Sequence, residues 1–293
     1  MHEPASFRIL ITGANGQLGR EFRELQGGFP AFRFTFTGRE VLDVTQEKAI
    51  REYFAANKFD YCINCAAYTA VDKAESEPEA ARLGNVDAPR WLAGACARQG
   101  IPLVHYSTDY VYHNQQNTPF KEEDTTTPQS VYARTKLAGE EAAQSANPQT
   151  VILRTSWVYS SFGHNFVKTM LRLGRERGRL NVVFDQVGTP TYARGLAHAT
   201  LEMIRKVEEG EVPRDKLQGI YHYSDEGVCS WYDFALAIFE LAGIDCKVAP
   251  IETKDFPTAA ARPPYSVLNK GKIKEVFGLE IRHWREALRG MIA

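Results

Sequence analysis

Residues 132–136, Tyr-Ala-Arg-Thr-Lys, place a phenol and an ammonium group four positions apart in a segment that predicts a helix. Side chains at positions i and i+4 share one helical face, so Tyr132 and Lys136 can address one ligand. A free tyrosine titrates near pH ~10, and a neighbouring cation eases proton exchange at neutral pH. With the upstream hydroxyls of Ser107 and Thr108, the pair predicts proton transfer to a carbonyl group. On an arbitrary helix the same spacing usually marks a half-buried tyrosine beside a solvated lysine, so its meaning depends on the rest of the chain.

Short apolar runs alternate with longer helical patterns in the first half of the chain, which predicts repeated βαβ units. The predicted strands are 8–12, 32–37, 60–66, 103–108 and 151–154. The predicted helices between them are 16–25, 46–57, 78–99 and 130–145. This order predicts an α/β fold with a doubly wound parallel sheet, the Rossmann arrangement, in which ligands lie beyond the carboxyl ends of the strands. Ser107 and Thr108 end one of these strands.

The second half of the chain is interrupted more often by glycine and proline. We predict loops around a binding cleft at 162–165, 185–190 and 262–264, and helices at 166–177, 193–208 and 231–242. Residues 1–158 are therefore expected to form mainly a dinucleotide-binding domain. Residues 159–293 are expected to form mainly a smaller substrate-binding lobe, with part of the chain returning to the first sheet.

The first predicted strand leads directly into a glycine-rich turn that is followed by a helix pattern. The spacing is G-x-x-G-x-x-G, with Gly13, Gly16 and Gly19, and differs from the standard G-x-G-x-x-G. Glycines let the backbone approach a pyrophosphate, and the free N–H groups at the helix start stabilise its charge. The turn therefore predicts a dinucleotide site, and its other candidate lining residues are Asn15, Gln17 and Leu18.

The second strand ends at 36–39, Phe-Thr-Gly-Arg, where an NAD-selective site would offer an acidic residue to the ribose 2′-hydroxyl. Residues 36–39 contain no carboxylate. Arg39 could accept a 2′-phosphate, which favours NADPH or dual use, or it could be a solvated loop arginine. Asp43 and Val44 follow on the adenine side, although Asp43 could instead cap the helix predicted from residue 46.

Composition excludes several function classes. The formal net charge is −1 and the sequence pI is about 6.7, so no global positive field favours nucleic acid. The sequence shows no basic-then-apolar export signal and no apolar stretch of membrane-spanning length. We expect a cytoplasmic protein without a membrane or nucleic-acid partner, able to act as a homodimer.

Five cysteines lie at positions 62, 65, 96, 229 and 246, an odd number without a disulfide framework. Cys62 and Cys65 match C-x-x-C, but they fall in a predicted strand, where residues three apart point to opposite faces. The histidines show no metal-ligand spacing near a carboxylate. We therefore predict no metal site.

With the glycine turn and the Tyr132/Lys136 pair in one βα chain, the sequence resembles the extended short-chain dehydrogenases/reductases. Within this superfamily it resembles the dTDP-4-dehydrorhamnose reductase family over about 8–288. The blocks that carry this resemblance are 64–75 (NCAAYTAVDKAE), 105–112 (HYSTDYVY), 154–159 (RTSWVY), 185–191 (DQVGTPT) and 262–268 (RPPYSVL).

The resemblance implies roles for individual residues. Tyr132 would donate a proton to the C4 carbonyl oxygen of a nucleotide-sugar, while NADPH, or NADH, delivers hydride to C4. Lys136 would bind the nicotinamide ribose and lower the pKa of the phenol, and Thr108 would hydrogen-bond the reacting oxygen. Asp109 and Trp157 would contact the substrate.

The remaining implied cofactor contacts lie in four short segments: Gly13, Asn15, Gly16, Gln17, Leu18 and Gly19; Arg39, Asp43 and Val44; Ala66, Ala67, Tyr68 and Thr69; and Tyr132 with Lys136. Three arginines are candidate partners for phosphate groups: Arg39, Arg154 and Arg262. We expect that not all three bind a phosphate.

Two other functions remain open on this sequence. A related nucleotide-sugar dehydratase or epimerase would share the fold and the Tyr/Lys pair, but dehydratases typically carry Glu where Tyr110 follows Asp109. A non-catalytic dinucleotide-binding subunit resembles the same reductases, and the intact Thr108, Tyr132 and Lys136 argue against it.

Overall fold

A computed structural model describes residues 6–292. Its strands are β1 (Phe7–Thr12), β2 (Phe32–Thr37), β3 (Tyr61–Asn64), β4 (Leu103–Thr108), β5 (Thr150–Thr155), β6 (Val158–Tyr159), β7 (Arg179–Val183), β8 (Val187–Gly188), β9 (Thr191–Tyr192), β10 (Gly219–His222), β11 (Cys229–Ser230) and β12 (Lys247–Ile251). Its α-helices are α1 (Gln17–Leu25), α2 (Glu47–Ala56), α3 (Val71–Ala74), α4 (Pro78–Arg82), α5 (Ala88–Gln99), α6 (Val131–Ala146), α7 (Phe166–Glu176), α8 (Ala193–Glu208), α9 (Trp231–Ala242), α10 (Gly271–Phe277) and α11 (Trp284–Ile292).

Six parallel strands form the central sheet in the spatial order β10-β5-β4-β3-β1-β2. The five strands predicted in the first half all form, and the doubly wound α/β class is confirmed. β3 ends at Asn64, two residues before the predicted end, because the chain there turns toward the glycine-rich loop. The sixth strand, β10, comes from the second half of the chain and pairs with β5.

Alternating apolar residues explain why both faces of this sheet are covered. Ile9 and Ile11 of β1 pack into one cluster with α1, α8 and α10, whereas Leu10 packs into another with α2 and α5. Cys62 lies in the second cluster and Cys65 packs against the first, so the predicted separation of the two thiols to opposite faces is confirmed. Burial of the sheet on both sides is what a parallel sheet requires.

The helix predicted at 78–99 is interrupted, which corrects the sequence prediction. A π-helical turn at Leu83–Asp87 separates α4 from α5. Pro89 lacks the N–H that would bond the carbonyl of Asn85 in a regular helix, so the backbone can widen at this point. Gly139 of α6 approaches the same carbonyl so closely that any Cβ would collide with it. The widened turn therefore lets α6 lie directly against the segment that carries Asn85.

The second half of the chain builds a separate apolar cluster from α7, α9, α11 and β7. The predicted helices there form at α7, α8 and α9, and Ser230 with Asp233 makes a capping box at the start of α9. Short two-stranded pairings, β6 with β9, β7 with β12 and β8 with β11, hold the intervening loops. Within residues 6–292, none of the helices has the length and apolar character needed to cross a membrane.

Candidate active site

The glycine-rich loop between β1 and α1 needs its glycines because two backbone segments meet there. Gly13 has φ +64°, and a Cβ at this position would lie 2.5 Å from the backbone nitrogen of Ala66. A Cβ at Gly19 would lie 2.5 Å from the Cα of Ala14, so α1 packs directly against the loop. Gly16 is the N-cap of α1 and donates its N–H to the carbonyl of Gly13 at 3.0 Å. Side chains at these positions would fill the space above the loop, and without them the loop can hold a pyrophosphate.

A buried row of polar side chains crosses three neighbouring strands behind this loop, from the ends of β1 and β3 to the middle of β4. The Asn64 Oδ1 accepts a hydrogen bond from the Thr12 hydroxyl at 2.7 Å and another from the Ala66 N–H at 3.1 Å. The Asn64 amide also contacts Nδ1 of His105 at 3.1 Å. Burial and the nearby Lys136 charge hold the pKa of His105 well below its ordinary value. Sequence reasoning did not assign these roles, although polar residues ending buried strands were a usable signal.

The predicted cofactor segment 66–69 lies between β3 and α3, with Ala67 and Thr69 exposed. The Asn85 side chain fixes it by accepting from the Tyr68 N–H at 2.9 Å and donating to the Tyr68 carbonyl at 3.0 Å. Asn85 is fully buried and also contacts the Thr135 hydroxyl of α6. The π-helical turn therefore couples this segment to the helix that carries Tyr132.

Three predicted residues of the glycine loop contact other parts of the protein. The Gln17 Oε1 accepts a hydrogen bond from the Asn165 amide at 2.9 Å, which ties the start of α1 to the loop before α7. Leu18 packs against the apolar cluster under the sheet. The exposed Asn15 side chain reaches toward the end of β2.

The turn after β2 brings in a carboxylate from just beyond 36–39, to which the sequence analysis gave no role. Glu40 places its carboxylate 3.3 and 3.4 Å from the Asn15 amide nitrogen. The Arg39 Nε instead contacts Asp43 at 3.1 Å, and its side chain is 81% exposed. Asp43 also accepts hydrogen bonds from the Thr45 N–H and hydroxyl, while the N-cap of α2 is residue 46. Val44 is buried in the cluster of the second sheet face.

The predicted catalytic residues meet where β4 ends and α6 begins. Ser130 caps α6 by accepting the Ala133 N–H at 3.1 Å, which sets Tyr132 in the first turn. Thr108 ends β4, and its hydroxyl lies near enough to the Tyr132 phenol to lower the pKa of the phenol. One turn further along α6, the Lys136 Nζ donates to the main-chain carbonyl of Tyr106 at 2.6 Å. The structure thus brings the three side chains to one end of the sheet.

Electrostatics give these groups distinct proton affinities. Burial raises the pKa of Tyr132 to about 12, the Thr108 hydrogen bond opposing and the Asp109 charge adding to the rise. Burial lowers the pKa of Lys136 to about 8, with the Glu140 carboxylate opposing. Thr108 is the group that lowers the phenol's pKa here, and the contact of Lys136 with a nicotinamide ribose stays a prediction. The Lys136 ammonium is held on the Tyr106 carbonyl.

Asp109, predicted to contact substrate, follows Thr108 and is buried. Its Oδ1 accepts a hydrogen bond from the Thr108 hydroxyl at 3.1 Å, while Oδ2 has no hydrogen-bond partner within residues 6–292. Burial raises the pKa of Asp109 to about 7, against hydrogen bonds from Ser266 and Thr108. A carboxyl group that changes charge near neutral pH therefore lies directly beside the Thr108 hydroxyl.

A buried ion pair lies beneath Lys136, and sequence reasoning missed it. Arg154 donates from Nε and from the terminal nitrogen to both carboxylate oxygens of Glu140, the shortest distance being 2.6 Å. Its other terminal nitrogen donates to the Tyr112 hydroxyl at 2.6 Å. Ser107 also donates to Glu140, so it supports this pair rather than the phenol. Arg154 is committed to this network, which corrects its candidacy as a phosphate partner.

Trp157 stands between β5 and β6 with an unusual backbone. Its φ of +47° lies in the left-handed region, which non-glycine residues seldom adopt. Its indole stacks on that of Trp231, with ring centroids 3.5 Å apart and planes at 9°. A Cβ at Gly188 would lie 2.8 Å from the same indole, so the 185–191 loop packs beside it as well.

Arg262 joins the second half of the chain to the region beside the phenol. Its guanidinium forms a two-pronged pair with Asp72, at 2.6 and 2.7 Å, and also contacts Tyr110. The Tyr110 ring meets the edge of Tyr132 at a centroid distance of 6.0 Å. Arg262, like Arg154, therefore already has a protein anion as partner.

The chain combines a parallel doubly wound sheet, a glycine-rich first turn and a threonine, a tyrosine and a lysine at the carboxyl edge of the sheet. These features define the NAD(P)-dependent oxidoreductases of the extended short-chain dehydrogenase/reductase type. Within this class, the chain belongs to the family described as the RmlD substrate binding domain, whose model matches residues 7–293.

Named relatives agree with this assignment. The chain is 40% identical to the dTDP-4-dehydrorhamnose reductase of Aggregatibacter actinomycetemcomitans, covering 98% of each chain. It superimposes with a TM-score of 0.90 on the dTDP-4-dehydrorhamnose reductase of Clostridium acetobutylicum, at 43% identity and with 97% and 98% of the two chains covered. The Bacillus anthracis dTDP-4-dehydrorhamnose reductase, solved in complex with NADP, also gives 0.90, at 36% identity over 98% of each chain.

Across the described range 6–292, no group of three or more His, Cys, Asp or Glu side chains is arranged to hold a metal ion.

Proposed function

We propose that this chain reduces the C4 keto group of dTDP-4-dehydro-β-L-rhamnose with NADPH, and also with NADH, to give dTDP-L-rhamnose. This is the last step of dTDP-L-rhamnose biosynthesis for cell-surface polysaccharide. The observation that carries the proposal is that Thr108, Tyr132 and Lys136 lie together at the carboxyl edge of the sheet, in a chain 40% identical over 98% of its length to a reductase of this name. We also propose that the protein is cytoplasmic and that it can form a homodimer.

The residues that would hold the dinucleotide lie on neighbouring strand ends. The turn from Gly13 to Gly19 would bind its pyrophosphate, and 66–69 would line the middle of the molecule. Lys136 would hydrogen-bond the nicotinamide ribose once its ammonium leaves the Tyr106 carbonyl or shares it. When bound, NADPH supplies the hydride that C4 receives.

Tyr132 supplies the proton in this proposal. Because burial raises its pKa to about 12, the phenol stays protonated at neutral pH and can donate to the C4 oxygen as negative charge develops there. Thr108 would hydrogen-bond the same oxygen and lower the cost of the transient phenolate. A carbonyl reduction needs one hydride and one proton. In this proposal Tyr132 donates the proton and Thr108 orients the oxygen that receives it.

The substrate would lie between the sheet edge and the second half of the chain. Asp109 would contact the sugar, and Trp157 would offer an aromatic surface to the nucleotide-sugar. The loop 185–191, which packs against Trp157, would close near it. In this proposal, residues 1–158 mainly bind the dinucleotide and residues 159–293 mainly bind the substrate.

Tyr110 weighs against a dehydratase. A dehydratase needs an additional acid to expel water, and the position after Asp109 carries Tyr110, which packs against Tyr132 and contacts Arg262. A non-catalytic binding subunit would have no need of a phenol aligned with a threonine hydroxyl.

The test is to mix purified protein with NADPH and dTDP-4-dehydro-β-L-rhamnose, follow NADPH absorbance and identify the product sugar. Tyr132→Phe should abolish most turnover while leaving NADPH binding nearly intact, because only the proton donor is removed. The matched control is Tyr53→Phe, which removes the hydroxyl of a half-buried tyrosine on α2 and should retain turnover. Unchanged turnover in Tyr132→Phe, or no NADPH oxidation despite NADPH binding, would contradict the proposal.

A further inference from the structure

The short helix α3 presents two carboxylates to different parts of the active site. It follows the predicted cofactor segment 66–69 almost directly and packs against α6, the helix that carries Tyr132. Asp72 contacts the second half of the chain, and Glu75, the C-cap residue of α3, contacts the first residue of α6. Neither carboxylate takes part in the proton and hydride transfers proposed above, so their role lies in what they hold.

Glu75 fixes the place where α6 begins. Its Oε1 accepts a hydrogen bond from the N–H of Val131 at 2.7 Å, and Tyr132 is the next residue. The first N–H groups of a helix have no partner within the helix, and a negative charge near them is favourable. Ser130 satisfies the N–H of Ala133 from within the same turn, at 3.1 Å. Ser130 therefore shapes the turn, whereas Glu75, 56 positions away from Val131, sets its position against α3.

Asp72 holds a segment from the second half of the chain. Its two oxygens accept from the Arg262 guanidinium at 2.6 and 2.7 Å, and Oδ1 also accepts the Ala260 N–H at 3.0 Å. The Arg262 guanidinium in turn donates to the Ala260 carbonyl at 2.6 Å. The side chain of Arg262 is only 16% exposed, so water weakens this pair less than it weakens a surface pair. Three hydrogen bonds to one carboxylate thus fix residues 260–262 on α3.

Tyr110 connects this contact to the phenol. Its ring meets the edge of the Tyr132 ring at a centroid distance of 6.0 Å, and its N–H donates to the Thr108 hydroxyl at 3.1 Å. Burial raises the pKa of Tyr110, and the nearby charge of Arg262 opposes that rise. The guanidinium that Asp72 holds therefore lies beside a side chain that packs on Tyr132.

We propose that Asp72 and Glu75 are positioning residues that hold the phenol of Tyr132 from two sides, an inference that rests on the proposed reduction. Glu75 acts through the backbone of the first turn of α6, and Asp72 acts through Arg262 and Tyr110. The proton that the C4 oxygen receives still comes from Tyr132 alone. Because α3 continues the predicted cofactor segment, one stretch of chain places both the dinucleotide and the phenol.

Glu75→Ala removes the acceptor for the Val131 N–H and should lower kcat by roughly tenfold to a hundredfold, because displacing a reacting group by about 1 Å can cost about a hundredfold. The KM for NADPH should stay the same, since no contact of the glycine loop changes. Glu75→Gln keeps a carbonyl oxygen at the same reach, so it should recover most of the lost kcat. The experiment uses the full chain with NADPH and dTDP-4-dehydro-β-L-rhamnose and follows NADPH absorbance.

The solvent deuterium isotope effect on kcat distinguishes a positioning role from a structural one. A displaced phenol makes proton transfer limit the rate more strongly, so the effect should be larger in Glu75→Ala than in the wild type. It should return to the wild-type value in Glu75→Gln. A variant that only folds less completely would lose kcat without any change in this effect. Glu79→Ala, at an exposed position on α4, is the matched control and should change neither quantity.

Asp72→Asn and Arg262→Lys each break the two-pronged pair, so both should lower kcat and raise the isotope effect. The double variant should lose no more than the larger single loss, because both changes remove one interaction. The comparable control is Glu240→Gln, which breaks the ion pair between Arg285 and α9 in the second half of the chain. It should leave kcat and the isotope effect at their wild-type values.

The outcomes separate this inference from the reaction on which it rests. A lower kcat with a larger isotope effect in Glu75→Ala, and recovery in Glu75→Gln, supports the role of Glu75, and non-additive losses support that of Asp72. Wild-type kcat in a folded Glu75→Ala or Asp72→Asn enzyme, or a lower kcat with an unchanged isotope effect, overturns the role of that residue. Should Glu75→Ala not fold, Glu75→Asp, whose carboxylate falls short of Val131, takes its place. A wild-type chain that binds NADPH but does not reduce the nucleotide-sugar overturns the proposed reaction itself.

Discussion

The side chain of Lys136 crosses from α6 to β4, where its ammonium donates a hydrogen bond to the main-chain carbonyl of Tyr106 at 2.6 Å. Lys136 is 2% exposed, so its charge is stabilised by this carbonyl and by the more distant Glu140 rather than by water. The cation that sequence reasoning attached to the phenol is therefore anchored to the sheet. This arrangement has measurable consequences for the pH dependence of the reaction.

We expect the rate of reduction to fall as pH rises through about 8. Burial lowers the pKa of Lys136 to about 8, so the ammonium is present below that pH and is lost above it. Tyr132, with a pKa of about 12, remains a proton donor throughout this range. The measurement is kcat/KM against pH for the wild type and for Lys136→Arg, in which the charge persists and the fall should move to higher pH. An identical profile in an active Lys136→Arg enzyme would exclude Lys136 as the titrating group.

Asp109→Asn should stabilise the protein more at pH 8 than at pH 4. The folded-state pKa of Asp109 is raised to about 7, so its ionisation opposes folding and the protein loses stability as pH rises between its ordinary value and about 7. The change in unfolding free energy caused by the substitution should therefore differ between pH 4 and pH 8 by up to about 4 kcal/mol. Urea unfolding at both pH values measures this difference. Asp215→Asn, an exposed carboxylate, should show little such difference.

Glu140→Gln should affect both stability and catalysis. It leaves Arg154 buried beside an uncharged partner, which costs about 3–5 kcal/mol of unfolding free energy. It also removes the carboxylate that raises the pKa of Lys136, so the fall in kcat/KM should begin at lower pH. Denaturant unfolding and the pH profile test the two effects separately. The control is Glu141→Gln, at the exposed neighbouring position, which should change neither the stability nor the pH profile. If Glu140 has a purely structural role, the pH profile of the folded Glu140→Gln variant will be the same as that of the wild type.

Trp231→Leu should raise the KM for the nucleotide-sugar several-fold with a smaller effect on kcat. Trp231 supports the indole of Trp157 face to face, and its loss frees Trp157 from a left-handed backbone conformation that tertiary contacts maintain. Trp231→Phe keeps an aromatic face and should retain more of the affinity. The near-ultraviolet circular dichroism of the stacked indoles should weaken in both variants. Trp91→Phe, on the other side of the sheet, is the control, and an unchanged KM in Trp231→Leu would show that the stack does not position Trp157.

Local patterns in the sequence determined the framework and part of the site. The period of apolar residues predicted the five strands of the first half, because backbone geometry repeats over a few residues. Glycine spacing predicted the loop that meets Ala66, and the interval between Tyr132 and Lys136 predicted one helical face. Each of these features depends on neighbours along one element, so spacing alone carries the information.

The tertiary structure decided which partner each side chain has. Arg154 of β5 pairs with Glu140 of α6, and Arg262 pairs with Asp72 of α3 across 190 positions of chain, because separate elements pack together there. Glu40 reaches Asn15 because a turn at Gly38 folds the chain back over the glycine loop. Trp157 meets Trp231 across 74 positions of chain. Contacts of this kind depend on how separate elements pack, and no repeat or interval in the sequence encodes that packing.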